Sequence, residues 1–349
     1  MSRRAVTLLV SLLLVVVLAI AGALLPVPYV ALSPGPTINT LGTSGGGSPL
    51  IVVKGHRTYP TSGHLNLVTV SVSGGPGRNL GLFTALAGWL RSTVAVVPEE
   101  ELYPKGTTRQ QSARESRLQM EQSQQAATAA ALSQLGIAPK AITISDFVAR
   151  APAAKLLRKG DVLARIDGTK VTGLAQLTEL VSAKKRKPGD RIAIGIVRHG
   201  HASTVHVRTM AAPGEPRRAI IGIYPVPVWP FEVDFNLEDV GGPSAGMMFA
   251  LGIVDKLTPG DLTGGRFIAG TGEIAADGGV SAIGGIAQKM AGARRDGAHF
   301  FLAPQANCAD VRDAHIPGGL QVIKVSTLKQ ALADVRAIAA GRAAALPGC

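Results

Sequence analysis

The stretch GPSAG at positions 242–246, which opens an apolar run, decides how the carboxyl-terminal part of this chain is interpreted. Two further short motifs follow in order, GTGEI at 270–274 and IGG at 283–285. Ser244 lies in the first motif, and Lys289 follows the third. A serine and a single lysine in this arrangement are a candidate nucleophile and a candidate base.

A serine hydroxyl is a weak nucleophile until a base removes its proton. A lysine serves as that base only when burial lowers its pKa from about 10.4 toward neutrality. Lys289 has apolar neighbours, Ile286 and Met290, and no acidic residue close to it in sequence. The residues around Lys289 therefore favour a neutral amine.

The turn around the serine suits both a change of chain direction and the binding of an anion. Pro243 favours an abrupt turn, and Gly242 lets the backbone approach a substrate closely. A helix is predicted over 245–256, so amides at its start, beginning with Ala245, would bind an oxyanion.

Each residue has a simpler explanation when it is taken alone. Ser244 would be the N-cap of the predicted helix, Lys289 a solvated lysine on another helix, and Thr271 an ordinary residue at the end of a strand. The three motifs at workable spacing make the catalytic interpretation the better one.

Together the motifs resemble the proteolytic domain of the Lon proteases. The resemblance implies that Ser244 attacks the peptide bond, that Lys289 takes its proton, and that Thr271 contacts the lysine. Many Lon domains carry an aspartate three residues before the serine, where this chain has Gly241, and a second lysine where it has Ala287.

Two further observations limit the chemistry. The acids nearest to the position of that missing aspartate are Glu238 and Asp239. No Gly-x-x-x-x-Gly-Lys-Ser/Thr phosphate loop occurs in the 349 residues, so we expect no ATP motor and no cofactor. No spacing of cysteine and histidine indicates zinc, and we expect no metal.

The amino-terminal segment predicts a membrane anchor. Residues 5–25 are uncharged and almost all aliphatic, and at about 1.5 Å per residue they span a roughly 30 Å hydrocarbon core. Arg3 and Arg4 precede the span and the next basic residue is Lys54, so residues 1–4 are predicted to be cytoplasmic and the body extracytoplasmic. A cleaved signal peptide is the alternative, but its apolar core is usually shorter.

The chain has two cysteines, Cys308 and Cys349. In an oxidising space they would form a disulfide that contributes roughly 4 kcal/mol in the chain-entropy model. Two unrelated thiols are the alternative.

The formal net charge of +13 does not indicate a nucleic-acid binder. The basic residues are concentrated in predicted turns and polar helix faces, and aromatic residues make up only 4% of the chain. A basic exterior beside anionic lipid or cell-wall polymer fits better.

The middle of the chain, VARAPAAKLLRKGDVLARIDG at 148–168, resembles bacterial PDZ domains attached to secreted proteases. A helix over 174–183 and a hairpin of strands 192–197 and 204–207 are predicted to complete it. The resemblance implies binding of extended peptides at a sheet edge, and 135–137 is the candidate carboxylate loop.

The predicted fold class is α+β, with an N-terminal transmembrane helix, a PDZ-like β module and a Lon-type proteolytic domain. Few residues separate the PDZ-like module from Ser244, so we expect early strands to complete the protease sheet. The predicted division is tail 1–4, anchor 5–25, juxtamembrane segment 26–125, PDZ-like domain 126–212 and protease domain 213–349.

Within this division, individual elements are also predicted. Strands are predicted at 50–53, 65–72, 231–237, 300–303 and 322–325, helices at 120–135 and 328–340, and loops at 33–36 and 43–48.

The functional hypothesis is a membrane-anchored, extracytoplasmic, ATP-independent serine endopeptidase that uses a Ser-Lys dyad, with the PDZ-like domain serving substrate binding or regulation. Its expected partners are unfolded or exported protein substrates, a peptide ligand of the PDZ-like domain and membrane lipid, with no nucleic acid and with homo-oligomerisation left open. The alternative is a catalytically silent PDZ scaffold that binds exported proteins. The presence of both Ser244 and Lys289 argues against the scaffold.

Overall fold

The structure, a computed structural model, describes residues 3–182, 186–237 and 240–349. The helices are α1 (Arg3–Leu24), α2 (Leu82–Trp89), α3 (Glu99–Leu102), α4 (Arg109–Gln134), α5 (Leu174–Ser182), α6 (Gly246–Leu257), α7 (Ile286–Arg295), α8 (Cys308–Asp313) and α9 (Leu328–Ala339). The first ten strands are β1 (Pro26–Val27), β2 (Tyr29–Asn39), β3 (Ile51–Lys54), β4 (His64–Ser73), β5 (Leu80–Gly81), β6 (Ala95–Pro98), β7 (Ala141–Phe147), β8 (Val162–Ile166), β9 (Thr169–Lys170) and β10 (Arg191–Arg198). The others are β11 (His201–Arg208), β12 (Met210–Ala212), β13 (Glu215–Ile220), β14 (Ile223–Val228), β15 (Glu232–Phe235), β16 (Phe267–Gly270), β17 (Glu273–Ile274), β18 (Val280–Ser281), β19 (Phe300–Pro304) and β20 (Gln321–Val325).

The central sheet has the strand order β20-β19-β16-β4-β2-β6. Its strands β20, β19, β16 and β4 are parallel, whereas β2 is antiparallel to both β4 and β6. Strands from the first hundred residues thus share one sheet with strands that follow the GPSAG turn. Strand β3, at the position of the strand predicted over 50–53, lies outside this sheet and pairs with β15.

Side chains of the central sheet alternate between two apolar layers. Leu67 and Leu302 face a core formed with α4, α6 and α9. Their neighbours Val68 and Phe301 face the other core, beneath α7 and α8. This period-two alternation places the sheet between two layers of helices.

The segment 33–36, SPGP, was expected to be a loop, and the structure contradicts this. It lies inside β2, where the register with β4 shifts between Pro34 and Thr37. The extra residues form a bulge, a position at which prolines are tolerated in strands. The Thr69 hydroxyl donates to the Pro36 carbonyl at 2.7 Å and holds the bulge in place.

Helix α4 starts at Arg109, before the predicted start at 120. Its beginning is fixed by a capping box: the Gln111 amide donates to the Thr108 hydroxyl, and the Gln111 side-chain oxygen accepts from the Thr108 amide. The first half of the helix is polar, so it lacks the apolar periodicity from which a helix is predicted. Small buried residues, including Ala127 and Ala130, pack it into the core beside α6.

A second sheet has the order β11-β10-β8-β7-β14, with β9 beside β8. It covers a separate apolar cluster together with α5. Because β14 pairs with β7, the sheet extends from Ala141 to Val228, beyond the predicted limit at 212. The predicted limit at 126 falls inside α4. Residues 135–137 do not lie in this sheet, since Leu135 and Ile137 pack against the core of the central sheet.

The Lys-Gly-Asp turn of the second sheet is organised by Asp161, which is buried. The Arg198 side chain donates to both Asp161 carboxylate oxygens, from Nε and from Nη2, each at 2.7 Å. The Arg158 amide adds a third bond at 2.7 Å. The aspartate therefore joins its own turn to β10.

Among the described residues, one helix, α1, is long and apolar enough to cross a membrane, judged by length and composition. Its spanning window is not buried against the rest of the protein. At the other end of the chain, a disulfide joins Cys308 to Cys349 with their Cα atoms 5.0 Å apart. It ties the last residue to the start of α8.

Candidate active site

The serine of the GPSAG turn lies two residues before α6, most of which is buried. Gly242 has a φ of +86°, a left-handed conformation that favours glycine, and it turns the chain toward the helix. Ala245 occupies the N-cap position, and no side chain caps the helix. Ser244 is therefore not the helix cap of the simpler interpretation, and its hydroxyl points elsewhere.

Helix α4 supports the turn from the other side. The Gly242 amide donates to the Ser116 carbonyl at 3.1 Å, and the Ser123 hydroxyl donates to the Pro243 carbonyl at 2.8 Å. A Cβ atom at Gly241 would lie 2.7 Å from the Ser116 Cβ. The close approach of α4 thus explains why Gly241 stands where many Lon domains carry an aspartate.

The nearby acids named in the sequence analysis, Glu238 and Asp239, lie outside the described residues. Among the described residues, no group of three or more histidine, cysteine or acidic side chains is placed to hold a metal ion.

The lysine is brought to the serine by α7. Lys289 is only 3% exposed, and its Nζ lies 2.9 Å from the Ser244 Oγ and 3.2 Å from the Thr271 Oγ1. The Thr271 hydroxyl donates to the Ser244 carbonyl at 3.0 Å and can accept from the amine. The three residues singled out by the motifs therefore meet at one point.

Burial lowers the pKa of Lys289 to about 8. Within the described ranges no carboxylate pairs with its amine, which instead contacts the two hydroxyl groups. Desolvation penalises the ammonium form, and no negative charge restores it. A substantial fraction of neutral amine is therefore available near pH 8, as a general base requires.

Of the three residues assigned to the turn or an oxyanion site, only Ala245 offers a free amide. Pro243 has no N–H, and the Gly242 N–H is bonded to Ser116. Across the described ranges, no hydrogen bond uses the backbone N–H of Ser244 or Ala245. These two adjacent amides at the start of α6 are suited to an oxyanion.

An open groove of about 910 Å³ runs past Ser244 and Lys289. Much of its wall is apolar, including Val70, Tyr103 and Met120. A peptide side chain can therefore be buried beside the serine.

One wall of the groove is the edge of β4. Pairing of β4 with β16 covers only His64–Leu67, and no other described strand pairs with this edge farther along. The His64 amide donates to Arg266 on the β16 side, and alternate residues of a strand point the same way. Val68, Val70 and Val72 therefore present their backbone groups toward the groove, where an extended peptide can pair with them.

Sequence reasoning missed Ser116, Ser123 and this strand edge. No local signal marks the two serines, which lie in a polar helix far from the motif that they support. The strand edge had a partial signal, because 65–72 was predicted as a strand and early strands were expected to complete the protease sheet.

Two parts of the chain match known protein families. Residues 239–337 match the family described as the Lon protease (S16) C-terminal proteolytic domain. Residues 117–209 match the PDZ domain family. The chain therefore carries a Lon-type serine protease domain together with a PDZ domain.

Relatives that match the first domain include two bacterial Lon proteases. The chain is similar to Lon protease 1 of Sorangium cellulosum, with 42% identity over 94 residues, and to the Lon protease of Rickettsia bellii, with 37% identity over 93 residues. Each match covers 26% of this chain, and 11% and 12% of the two relatives. The chain therefore spans only a small part of the length of these curated relatives.

Solved structures similar to part of the chain include two PDZ domains of SdrC-like proteins. The one from Listeria monocytogenes has 20% sequence identity and a TM-score of 0.22, covering 24% of this chain and 86% of that chain. The one from Listeria innocua has 20% identity and a TM-score of 0.23, covering 25% and 93%.

Proposed function

We propose that the chain is a membrane-anchored endopeptidase that works outside the cytoplasm, without ATP, by a Ser244–Lys289 dyad. The observation that carries the proposal is the 2.9 Å contact between the Lys289 Nζ and the Ser244 Oγ, made by a lysine that is buried and has no acidic partner among the described residues. A serine beside a neutral amine is an activated nucleophile.

In the proposed reaction, neutral Lys289 accepts the proton of Ser244 while the serine oxygen attacks the peptide carbonyl. The amides of Ser244 and Ala245 stabilise the oxyanion, and Lys289 then gives its proton to the departing amine. Water releases the acyl group in a second cycle with Lys289 again as base. Thr271 orients the amine, since its hydroxyl is held by the Ser244 carbonyl.

The proposed substrates are unfolded or exported proteins. Substrate backbone must be extended to pair with the β4 edge at Val68–Val72, which a folded domain does not offer. The apolar groove favours an apolar side chain near the cleaved bond. No phosphate loop occurs in the sequence, which supports hydrolysis without ATP.

The proposed location rests on two features at opposite ends of the chain. Helix α1 has the length and apolarity of a membrane span, and Arg3 and Arg4 favour a cytoplasmic amino terminus. The disulfide between Cys308 and Cys349 supports an extracytoplasmic body, because disulfides persist in oxidising spaces. We propose α1 as an uncleaved anchor and the second sheet, 141–228, as an insertion into the protease domain.

The proposed partner of the PDZ domain is a short peptide end. The Gly222 and Val228 carbonyls accept hydrogen bonds from the β7 side, so the residues between them at alternate positions face outward on the edge strand β14. Two of the outward residues, Pro225 and Pro227, have no N–H. Only Ile223 can both donate to and accept from an added strand, which suits a chain end rather than a long segment.

The test of the activity uses the purified full chain in detergent with a fluorescent unfolded protein and no nucleotide. Wild type should cleave it, Ser244→Ala should not, and Lys329→Ala, which changes an exposed lysine on α9, should match wild type. A requirement for ATP would exclude the motor-free mechanism. Absence of cleavage by wild type that still binds peptides would favour the silent scaffold.

A further inference from the structure

Helix α2 presents an unusual exposed surface. It contains one polar residue, Thr84, and its face opposite the buried Ala85 and Gly88 is apolar. The exposed fractions are 48% for Phe83, 41% for Leu86, 54% for Trp89 and 89% for Leu90, which follows the helix. We call these four side chains the α2 patch. A surface helix normally turns such residues toward the core.

The α2 patch begins where α1 ends. Strand β1, directly after α1, pairs with β5, directly before α2. The Leu82 amide donates to the Leu25 carbonyl at 3.2 Å, and a Cβ atom at Gly22 would lie 3.1 Å from the Phe83 ring. The Trp89 ring meets Tyr29 edge-on at 5.7 Å, so the far end of α2 also lies near the start of β2.

We infer that the α2 patch inserts into the membrane–water interface beside α1. This inference rests on the proposed anchoring of the chain by α1. A helix that carries phenylalanine, leucine and tryptophan and lies at the end of a span is placed at the boundary of headgroups and acyl chains. The tryptophan ring suits this boundary because one end is apolar and the other can hydrogen-bond.

The charges around the patch indicate apolar rather than electrostatic attachment. Arg78 and Arg91 flank α2, but Glu99, Glu100 and Glu101 follow Pro98, which pairs with Tyr29. Opposite charges therefore lie near the same end of β2. We expect the contact to depend little on anionic lipid or on salt.

The second attachment holds the substrate groove near the bilayer. Leu32, which lines the groove, lies three residues along β2 from Tyr29, a distance of roughly 10 Å at about 3.3 Å per residue. With α1 alone the body would rotate about a single linker. With the α2 patch also inserted, the groove faces extended segments close to the membrane surface.

The experiment uses the fact that the chain has two tryptophans, Trp89 and Trp229. Trp229→Phe leaves only Trp89, and Trp89→Phe leaves only Trp229, which packs against the core of the central sheet. Each full-length variant is reconstituted into phosphatidylcholine vesicles that contain lipids spin-labelled near the headgroup. The label should roughly halve Trp89 emission and leave Trp229 emission nearly unchanged, because only an interfacial ring reaches the label.

Flotation of the same samples tests anchoring by α1 separately from insertion of the α2 patch. A chain that does not float with the vesicles would disprove the anchoring on which the inference rests. A chain that floats while Trp89 and Trp229 are quenched equally little would overturn the inference alone.

A charged variant tests whether the patch itself makes the contact. Leu86→Asp with Leu90→Asp, in the Trp229→Phe background, changes only exposed side chains, so folding and cleavage should be retained. Quenching of Trp89 should fall toward that of Trp229 while flotation through α1 continues. Unchanged quenching, or quenching that requires anionic lipid, would overturn insertion of an apolar patch.

Discussion

Two buried ionisable side chains, one in each domain, are accommodated in opposite ways. Asp161 of the PDZ domain is 1% exposed and receives two hydrogen bonds from Arg198. Lys289 of the protease domain is 3% exposed, and within the described part of the chain its amine hydrogen-bonds to two hydroxyl groups and to no carboxylate. The paired residue keeps its charge and serves the fold, whereas the unpaired residue is driven toward its neutral form and is available for chemistry.

The pKa shifts follow from this difference. Burial acts to raise the pKa of Asp161, but the bonds from Arg198 and the Arg158 amide hold it below its usual range. For Lys289, burial acts without a compensating charge and lowers the pKa to about 8. Burial alone does not mark a catalytic site, because it also raises the pKa of the fully buried Asp255 to about 6. Lys289 differs from Asp255 in that its amine contacts the Ser244 hydroxyl beside an open groove.

The largest expected effect comes from removing the dyad. Ser244→Ala and Lys289→Ala should each lower the rate of cleavage by about 10³-fold or more, and the double variant should be no worse because the residues act as one unit. Lys289→Arg should be equally inactive, since a guanidinium does not give up its proton. Initial rates measured without nucleotide test this. Additive losses in the double variant, or an active Lys289→Arg, would refute the dyad.

The second largest expected effect comes from breaking the buried ion pair between Arg198 and Asp161. Arg198→Ala leaves Asp161 buried and unpaired and should lower the free energy of unfolding of the PDZ domain by about 3 kcal/mol. Lys159→Ala is the matched control, because it breaks the exposed Lys159–Asp146 pair, 2.8 Å long, and should leave the free energy of unfolding nearly unchanged. Denaturant unfolding measures both. Equal losses of unfolding free energy in the two variants would show that the buried Arg198–Asp161 pair stabilises the domain no more than the exposed pair does.

The loss of unfolding free energy in Arg198→Ala should depend on pH with a definite sign. Because the pKa of Asp161 is lowered by folding, its stabilising contribution is present above the unfolded value of about 3.9 and disappears as the pH falls through the lower folded value. The gap in stability between wild type and Arg198→Ala should therefore narrow in acid below about pH 4.

Lys289 should show the opposite relation between charge and stability. Its folded pKa of about 8 lies below the unfolded value of about 10.4, so the unfolded chain binds more protons between these values and stability rises with pH there. Lys289→Met should raise the free energy of unfolding at pH 7 by about 1 to 3 kcal/mol. Unfolding at pH 7 and pH 10 tests this, and a gain that does not shrink at pH 10 would contradict it.

The rate of cleavage by wild type should rise about tenfold per pH unit below pH 8 and level off above it, because only the neutral amine takes the proton of Ser244. The pH profile of kcat/KM measures this in the free enzyme. A profile that is flat between pH 6 and pH 9 would exclude Lys289 as the base.

The residues of the proposed reaction could be singled out from sequence because the chemistry needs particular residue types in short motifs. Ser244, Thr271 and Lys289 lie within one stretch, and the predicted helices at 245–256 and 328–340 differ from α6 and α9 by about one residue at their ends. Their support was not predictable. Ser123 and Pro243 are separated by 120 positions, so only the fold brings them together.

Prolines lie within two strands of the structure, and those in SPGP at 33–36 account for another difference from the prediction. Prolines are usually taken as breaks in strands. In β2 the prolines sit at a bulge, and in β14 they face the outer edge. Whether a proline interrupts a sheet depends on the direction in which its missing N–H would point, and sequence alone does not give that direction.

The smallest effect tests the support that α4 gives to the reactive serine. Ser123→Ala removes the 2.8 Å bond to the Pro243 carbonyl and should cost about 1 kcal/mol, lowering kcat about fivefold by loosening the nucleophile turn. KM and the pH profile should not change, since neither the groove nor the environment of Lys289 is altered. Ser116→Ala is the matched control: Ser116 acts through its backbone carbonyl, which accepts from Gly242 at 3.1 Å, so this variant should match wild type. A Ser123→Ala enzyme with unchanged kcat, or one in which KM alone rises, would show that α4 packs beside the turn without positioning the serine.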